Sequence, residues 1–370
     1  MIRLHRILRY AVGILLALLV LEFCVRLDDY VSYGAPLSGP YDEEIMYMRD
    51  NIGIKGKPGA RYKKWQLNNL GFRGPELQPD RVHIVCFGAS ETFGLYEAPG
   101  EEYPRQLERE LNAWAGRQVF QVVTVAYPGE TVQTQILRVS EIVEEVRPQI
   151  ALLYPSPAQY IWLPWLRPAS GGTAAITSRP HFEWRIASSL RELTKRSLPA
   201  PVQTYLRERE IRRAVAMYGV VDRVPQENII RFHDDLEKLV KSLRDARVEP
   251  VLITHATQFG PLLRVSSTHD RDELVAWRKF FPMLKEDGFL DMEMRMNEAI
   301  RQLASEQHVL LIDAAREMSP GAQNFADFSH FTTAGAGLMA LHIAEGLEPI
   351  LRHYSSDNTA TAPDRNASRN

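Results

Sequence analysis

The sequence predicts an α/β protein: a three-layer α/β/α sandwich, doubly wound on a parallel five-stranded sheet. Two observations carry this expectation. Five short apolar runs, Val82–Phe87, Phe120–Ala126, Gln149–Tyr154, Glu249–Thr254 and Val309–Ala314, lack the polar alternation of a half-solvated sheet, so both of their faces must be covered. Stretches of helical spacing, Glu101–Trp114, Thr131–Val146, Gln226–Arg247, Phe289–Gln307 and Thr332–Leu347, alternate with them. Strands separated by helices run parallel, and right-handed crossovers wind the helices onto both faces.

The chain before the first strand has two parts. Residues 1–27 place Arg3, Arg6 and Arg9 ahead of an uncharged stretch, Tyr10–Leu21, which Glu22 ends. A spanning helix needs about 20 mostly apolar residues. The run reaches that length when Ile7, Leu8 and the Phe23–Leu27 flank join it, with Arg9 and Arg26 snorkelling at its ends. The sequence Leu21-Glu22-Phe23-Cys24 lacks the small residues of a cleavage site. Residues 1–27 therefore read as an uncleaved signal anchor of a single-pass membrane protein. Its N-terminus is cytoplasmic and the remaining chain extracytoplasmic, periplasmic in a Gram-negative cell. Residues 28–80 read as an extended arm with short strands.

The sandwich is expected over 81–354. Two stretches break its rhythm and read as insertions, at about 157–225 and 260–288. The first carries aromatic-Pro turns with Trp162 and Trp165, and a basic series, Arg191, Lys195, Arg196, Arg207, Arg209, Arg212 and Arg213, which reads as a solvated helix face. Residues 355–370 are polar and read as a disordered tail.

Composition removes several functional classes. Lys plus Arg (44) nearly balances Asp plus Glu (46) in the 370 residues, so no basic excess serves nucleic-acid binding. Two cysteines exclude a disulfide scaffold and a cysteine-rich zinc site; Cys24 falls at the membrane edge and Cys86 in the core, unpaired. No cofactor or metal is expected. Gly335–Ala340 matches G-x-G-x-x-A but follows a histidine loop rather than a strand, and His233, His255, His269 and His308 are scattered.

In a doubly wound sheet the site lies beyond the carboxyl ends of the strands. Those loops carry Ser90 in Gly88-Ala89-Ser90-Glu91-Thr92, Gly129 in Tyr127-Pro128-Gly129, and the pair Asp327 and His330 in Asp327-Phe328-Ser329-His330. His255 stands just after the fourth strand. A serine hydroxyl is a weak nucleophile until a base takes its proton, and the base must be held in one tautomer by a carboxylate. Asp327 and His330, three apart, can meet in one tight turn. Gly129 offers a backbone N–H at a strand end.

Gly88-Ala89-Ser90-Glu91-Thr92 resembles the first block of the SGNH (GDSL-like) hydrolases, with Ala89 in place of the usual Asp. Gly129 resembles the glycine of the second block, Asp327–His330 the last-block D-x-x-H, and Asn69-Leu70-Gly71-Phe72-Arg73-Gly74 a segment preceding the first block in membrane-anchored members. The resemblance spans about residues 65–350. It implies a flavodoxin-like sandwich, with Ser90 as nucleophile, His330 as general base, Asp327 as its orienter, and the N–H groups of Ser90 and Gly129 as oxyanion donors. The third block departs: Ala158 stands where the family has Asn, and Gln159 or Ser156 is left to donate. The implied activity is hydrolysis of carboxylic esters such as O-acetyl groups on a polysaccharide. Alternatives are acetyl transfer to a sugar hydroxyl and a non-catalytic glycan-binding module. The implied partners are an acylated carbohydrate or other ester, and the membrane.

Overall fold

The structure, a computed structural model, describes residues 2–33, 35–38, 43–161, 184–260 and 268–356. Helix α1 (Ile2–Tyr33) runs beyond the expected anchor. Its segment Arg9–Ser32 contains an 18-residue window of mean hydropathy 2.2 and is long and apolar enough to cross a membrane. Arg26, expected to snorkel, instead is buried and pairs with Glu22 at 2.7 Å and with the Leu37 carbonyl at 3.0 Å. A carboxylate one turn earlier on the same helix is a nearer partner than water.

The arm folds into two antiparallel hairpins, β1 (Tyr47–Arg49) with β2 (Ile54–Gly56), and β3 (Arg61–Tyr62) with β4 (Trp65–Gln66). Met46, Tyr62, Trp65 and Leu67 bury a small core against Phe93. Gly56 and Gly71 let two backbones touch: a Cβ on Gly56 would stand 1.9 Å from the Gly71 carbonyl oxygen.

The central domain follows in strand–helix order. It comprises β5 (Val82–Phe87), α2 (Ser90–Phe93), α3 (Tyr103–Trp114), β6 (Phe120–Thr124), α4 (Val132–Val146) and β7 (Ile150–Leu153). After the first insertion, with α5 (Arg185–Ser197) and α6 (Ala200–Tyr218), come α7 (Gln226–Asp245) and β8 (Glu249–Ile253). The second insertion carries α8 (Thr268–Arg278), followed by α9 (Glu286–Gln307), β9 (Leu310–Ile312), α10 (Ala314–Glu317) and α11 (Thr333–Ser356). Trp162, Trp165 and the tail from 357 lie outside the described residues.

The five strands β6-β5-β7-β8-β9 pair in parallel in that order. This is the flavodoxin-like α/β/α arrangement, whose direction of winding switches between β5 and β7. Side chains alternate across the sheet. Ile84, Cys86, Leu152 and Val251 face the core under α3 and α11, while Val85, Phe87, Leu153 and Leu252 face α4, α7 and α9. Burial pushes the Cys86 thiol far up, so it is an inert core side chain. The strands β6 and β9 stop two residues short of the apolar runs that predicted them, because the chain turns out of the ladder into the functional loops.

Candidate active site

The switch point sets Ser90, after β5, beside Ser156, after β7. The loop from Phe87 into α2 is tight. A Cβ on Gly88 would stand 2.0 Å from Thr92 Oγ1 and 3.1 Å from the Tyr154 carbonyl, so glycine alone fits. Gln135 on α4 donates to the Gly88 carbonyl at 2.7 Å. The far end of the loop is held from the arm. Buried Arg73 donates to the carbonyls of Phe93 and Gly94 and pairs with Glu102 at 3.0 Å. Asn69–Gly74, singled out in the sequence, thus delivers a cation that fixes the ends of α2 and α3.

Asp327 and His330 meet directly. The Nδ1–H of His330 donates to both carboxylate oxygens of Asp327 at 2.9 Å, and the backbone N–H groups of Ser329 and His330 donate to Asp327 Oδ1 at 3.1 and 3.0 Å. The Nε2 of His330 is buried and makes no hydrogen bond. Two rings flank the imidazole edge-on: Tyr96, with centroids 5.4 Å apart, and Trp277 of α8 at 6.4 Å. Trp277 itself stacks on Phe328 at 5.0 Å.

Ser90 does not bond to His330. Its Oγ donates to Glu91 Oε2 at 3.2 Å. Glu91, buried, also accepts from Ser156 Oγ (3.2 Å) and Ser329 Oγ (3.1 Å) through Oε1. One carboxylate therefore ties the loops after β5 and β7 to the loop that carries His330. Behind it, His255 Nε2 lies 3.6 Å from Glu91 Oε1, while His255 Nδ1 bonds Glu293 of α9 at 2.9 Å. Asn297 clamps the His255 backbone through its N–H (2.7 Å) and its carbonyl (2.9 Å). The ring of Tyr154 stacks on His255 at 5.3 Å.

The charges follow from these contacts. Burial works against ionisation of His255, but Glu293 and Glu91 outweigh it and lift its pKa to about 10, so it is a cation. Burial likewise works against ionisation of Glu91, but bonding and charge from His255 and the charge of His330 hold it well below the usual carboxylate range. For His330, burial favours the neutral ring; the Asp327 hydrogen bond and the charges of Glu91, Asp327 and Glu97 win and raise its pKa. Glu97, buried with one oxygen unpartnered, is pushed up to about 7 by desolvation.

The remaining expected residues are less committed. Gly129 is exposed and takes a positive φ of 77°, next to the turn where Thr131 caps α4. Gln159 is half-buried on a single turn after β7, with no hydrogen bond to Ser90 or Glu91. Ser156, the alternative donor, is engaged by Glu91. Among the described residues, one group offers three ligands for a metal, His233, Asp234 and Glu237 on α7; it includes no member of the Glu91 cluster. Sequence reasoning gave no role to Glu91, Glu97, Glu293 or Trp277. Only Glu91 left a trace, as a carboxylate next to the loop serine.

No known family model matches the chain, and no curated protein is similar to it in sequence. Among solved structures it is similar to a lipase/acylhydrolase from Enterococcus faecalis (14% identity, 73% of this chain and 96% of that one, TM-score 0.43). It is also similar to an acetyl xylan esterase from Geobacillus stearothermophilus (16%, 72% and 94%, TM-score 0.41) and to an α/β hydrolase from the metagenome of Lake Arreo (14%, 72% and 94%, TM-score 0.41). Likenesses this distant carry no argument about the chemistry of this chain.

Proposed function

We propose that this protein is a membrane-anchored serine hydrolase of carboxylic esters. The observation that carries the reading is the Asp327–His330 pair: a carboxylate fixes Nδ1–H, and Nε2 is left without a partner in the site where Ser90 lies. In this reading His330 Nε2 takes the Ser90 proton while Oγ bonds the acyl carbon. The N–H groups of Ser90 and Gly129 hold the oxyanion, with Gln159 as the side-chain donor. The imidazolium returns its proton to the departing alkoxide, leaving an acyl-enzyme. His330 then deprotonates a water, which attacks the acyl carbon, and the acid leaves as Ser90 regains its proton.

The SGNH (GDSL-like) resemblance of the loops suggests O-acetyl groups on an extracytoplasmic polysaccharide as the substrate, with α1 as a single-pass anchor whose N-terminus is cytoplasmic. Acyl transfer to a sugar hydroxyl is the close variant of this reading, and a non-catalytic glycan-binding module is the second one, favoured by the absence of the family's Asn at Ala158. The test is turnover of an aryl acetate by the full chain in detergent, alone and with added oligosaccharide. Turnover lost in Ser90→Ala, with a fluorophosphonate adduct on Ser90, supports the enzyme. Absence of both turnover and adduct contradicts it, and oligosaccharide-dependent acyl loss selects transfer over hydrolysis.

A further inference from the structure

A serine esterase needs one carboxylate, to orient its histidine. This site holds a second one in the way of its nucleophile. Glu91 accepts the Ser90 hydroxyl at 3.2 Å, while His330 Nε2 makes no hydrogen bond. A buried carboxylate is costly to keep charged unless a cation and hydrogen bonds compensate it. Glu91 has both: hydroxyls from three different loops and the His255 imidazole at 3.6 Å, itself gripped by Glu293. Asn297 fixes the backbone of His255, and the Tyr154 ring stacks on its imidazole.

We propose that Glu91 is a positioning residue: it ties the loops of Ser90, Ser156 and Ser329 together, holds the Ser90 hydroxyl off His330 in the resting protein, and is balanced by the fixed cation His255. The inference rests on the reading of Ser90 and His330 as nucleophile and base. Its consequence is electrostatic. The groups facing His330 are Asp327, Glu91, Glu97 and the rings of Tyr96 and Trp277. Removing the charge of Glu91 removes one of the anions that favour the imidazolium, so His330 loses its proton at lower pH. A merely structural tether predicts no such movement.

The experiment is an NMR titration of the full chain in detergent, labelled with [ε1-13C]histidine, with His330→Gln and His255→Gln used to assign the resonances. In Glu91→Gln the His330 midpoint is expected to fall by about half a unit or more, a roughly threefold weaker proton affinity. Glu91→Asp, which keeps the charge and shortens the tether, is expected to stay near the wild-type midpoint. An unchanged or raised midpoint in Glu91→Gln overturns the proposal. Should that variant not fold, the wild-type protein decides: His255 is expected to remain protonated from pH 5 to 9, and its titration near the ordinary histidine value of about 6.5 overturns the charge pairing. Because no turnover is read, failure here is separable from failure of the esterase reading, which the aryl acetate and fluorophosphonate assays test alone.

Discussion

Two buried histidines stand near Ser90, each bonded at 2.9 Å through Nδ1 to a carboxylate, yet they differ in what surrounds the second nitrogen. His255 has Glu293 on one nitrogen and Glu91 facing the other, so it is held as a cation with no proton to accept. His330 has Asp327 on one nitrogen and packs its ring edge-on against Tyr96 and Trp277; the Nε2 of each histidine makes no hydrogen bond, and that of His255 faces Glu91 Oε1 at 3.6 Å. A histidine–carboxylate pair therefore does not by itself define a base. The environment of the second nitrogen does.

The largest expected effect comes from the open pair. Ser90→Ala and His330→Gln should each lower ester turnover by at least about 10³-fold, measured as kcat/KM on an aryl acetate. The comparison sharpens with the two carboxylates. Asp327→Asn should cut kcat on the order of 10³-fold by favouring the wrong tautomer. Glu293→Gln should instead act on stability, costing about 3 kcal/mol because it leaves a buried cation half-compensated; Tm reads that loss. Gln159→Ala should lower kcat by about 10²-fold if the amide supplies the missing oxyanion donor, with KM little changed.

Glu97 gives an effect of the opposite sign that appears only at high pH. Its pKa in the folded protein, about 7, lies above the ordinary 4.5. Stability is therefore full below pH 4.5 and is lost as pH rises through 7. Glu97→Gln should raise the unfolding free energy by up to about 3 kcal/mol at pH 8 and leave it unchanged at pH 4, read as Tm at the two pH values.

Much of the fold was legible in the sequence because central parallel strands are buried on both faces. The apolar run Val82–Phe87 coincides with β5 end to end, and the ends of α4 and α7 fall within a few residues of the expected ones. The Asp327–His330 contact was legible because a carboxylate and an imidazole three residues apart can meet in one tight turn, here just before α11, and Ser90 stood out because it follows the end of β5. In the arm short strands were expected, but their positions and pairing were not legible, since strands of two or three residues are too short to show a period. Glu91 and Glu293 were invisible for a different reason. A carboxylate in sequence reads as solvated surface, and only packing reveals that these two are buried against His255. Trp277 reaches His330 from an insertion, a proximity that no local pattern encodes.

In the proposed reaction His330, and not His255, serves Ser90. Fluorophosphonate labelling of the full chain at pH 8, with the adduct located by peptide mass spectrometry, tests it in wild type, His330→Gln and His255→Gln proteins that retain a cooperative melt. An adduct on Ser90 is expected in wild type, with loss in His330→Gln and retention in His255→Gln. Labelling of Ser90 that survives in His330→Gln and disappears in His255→Gln would contradict it.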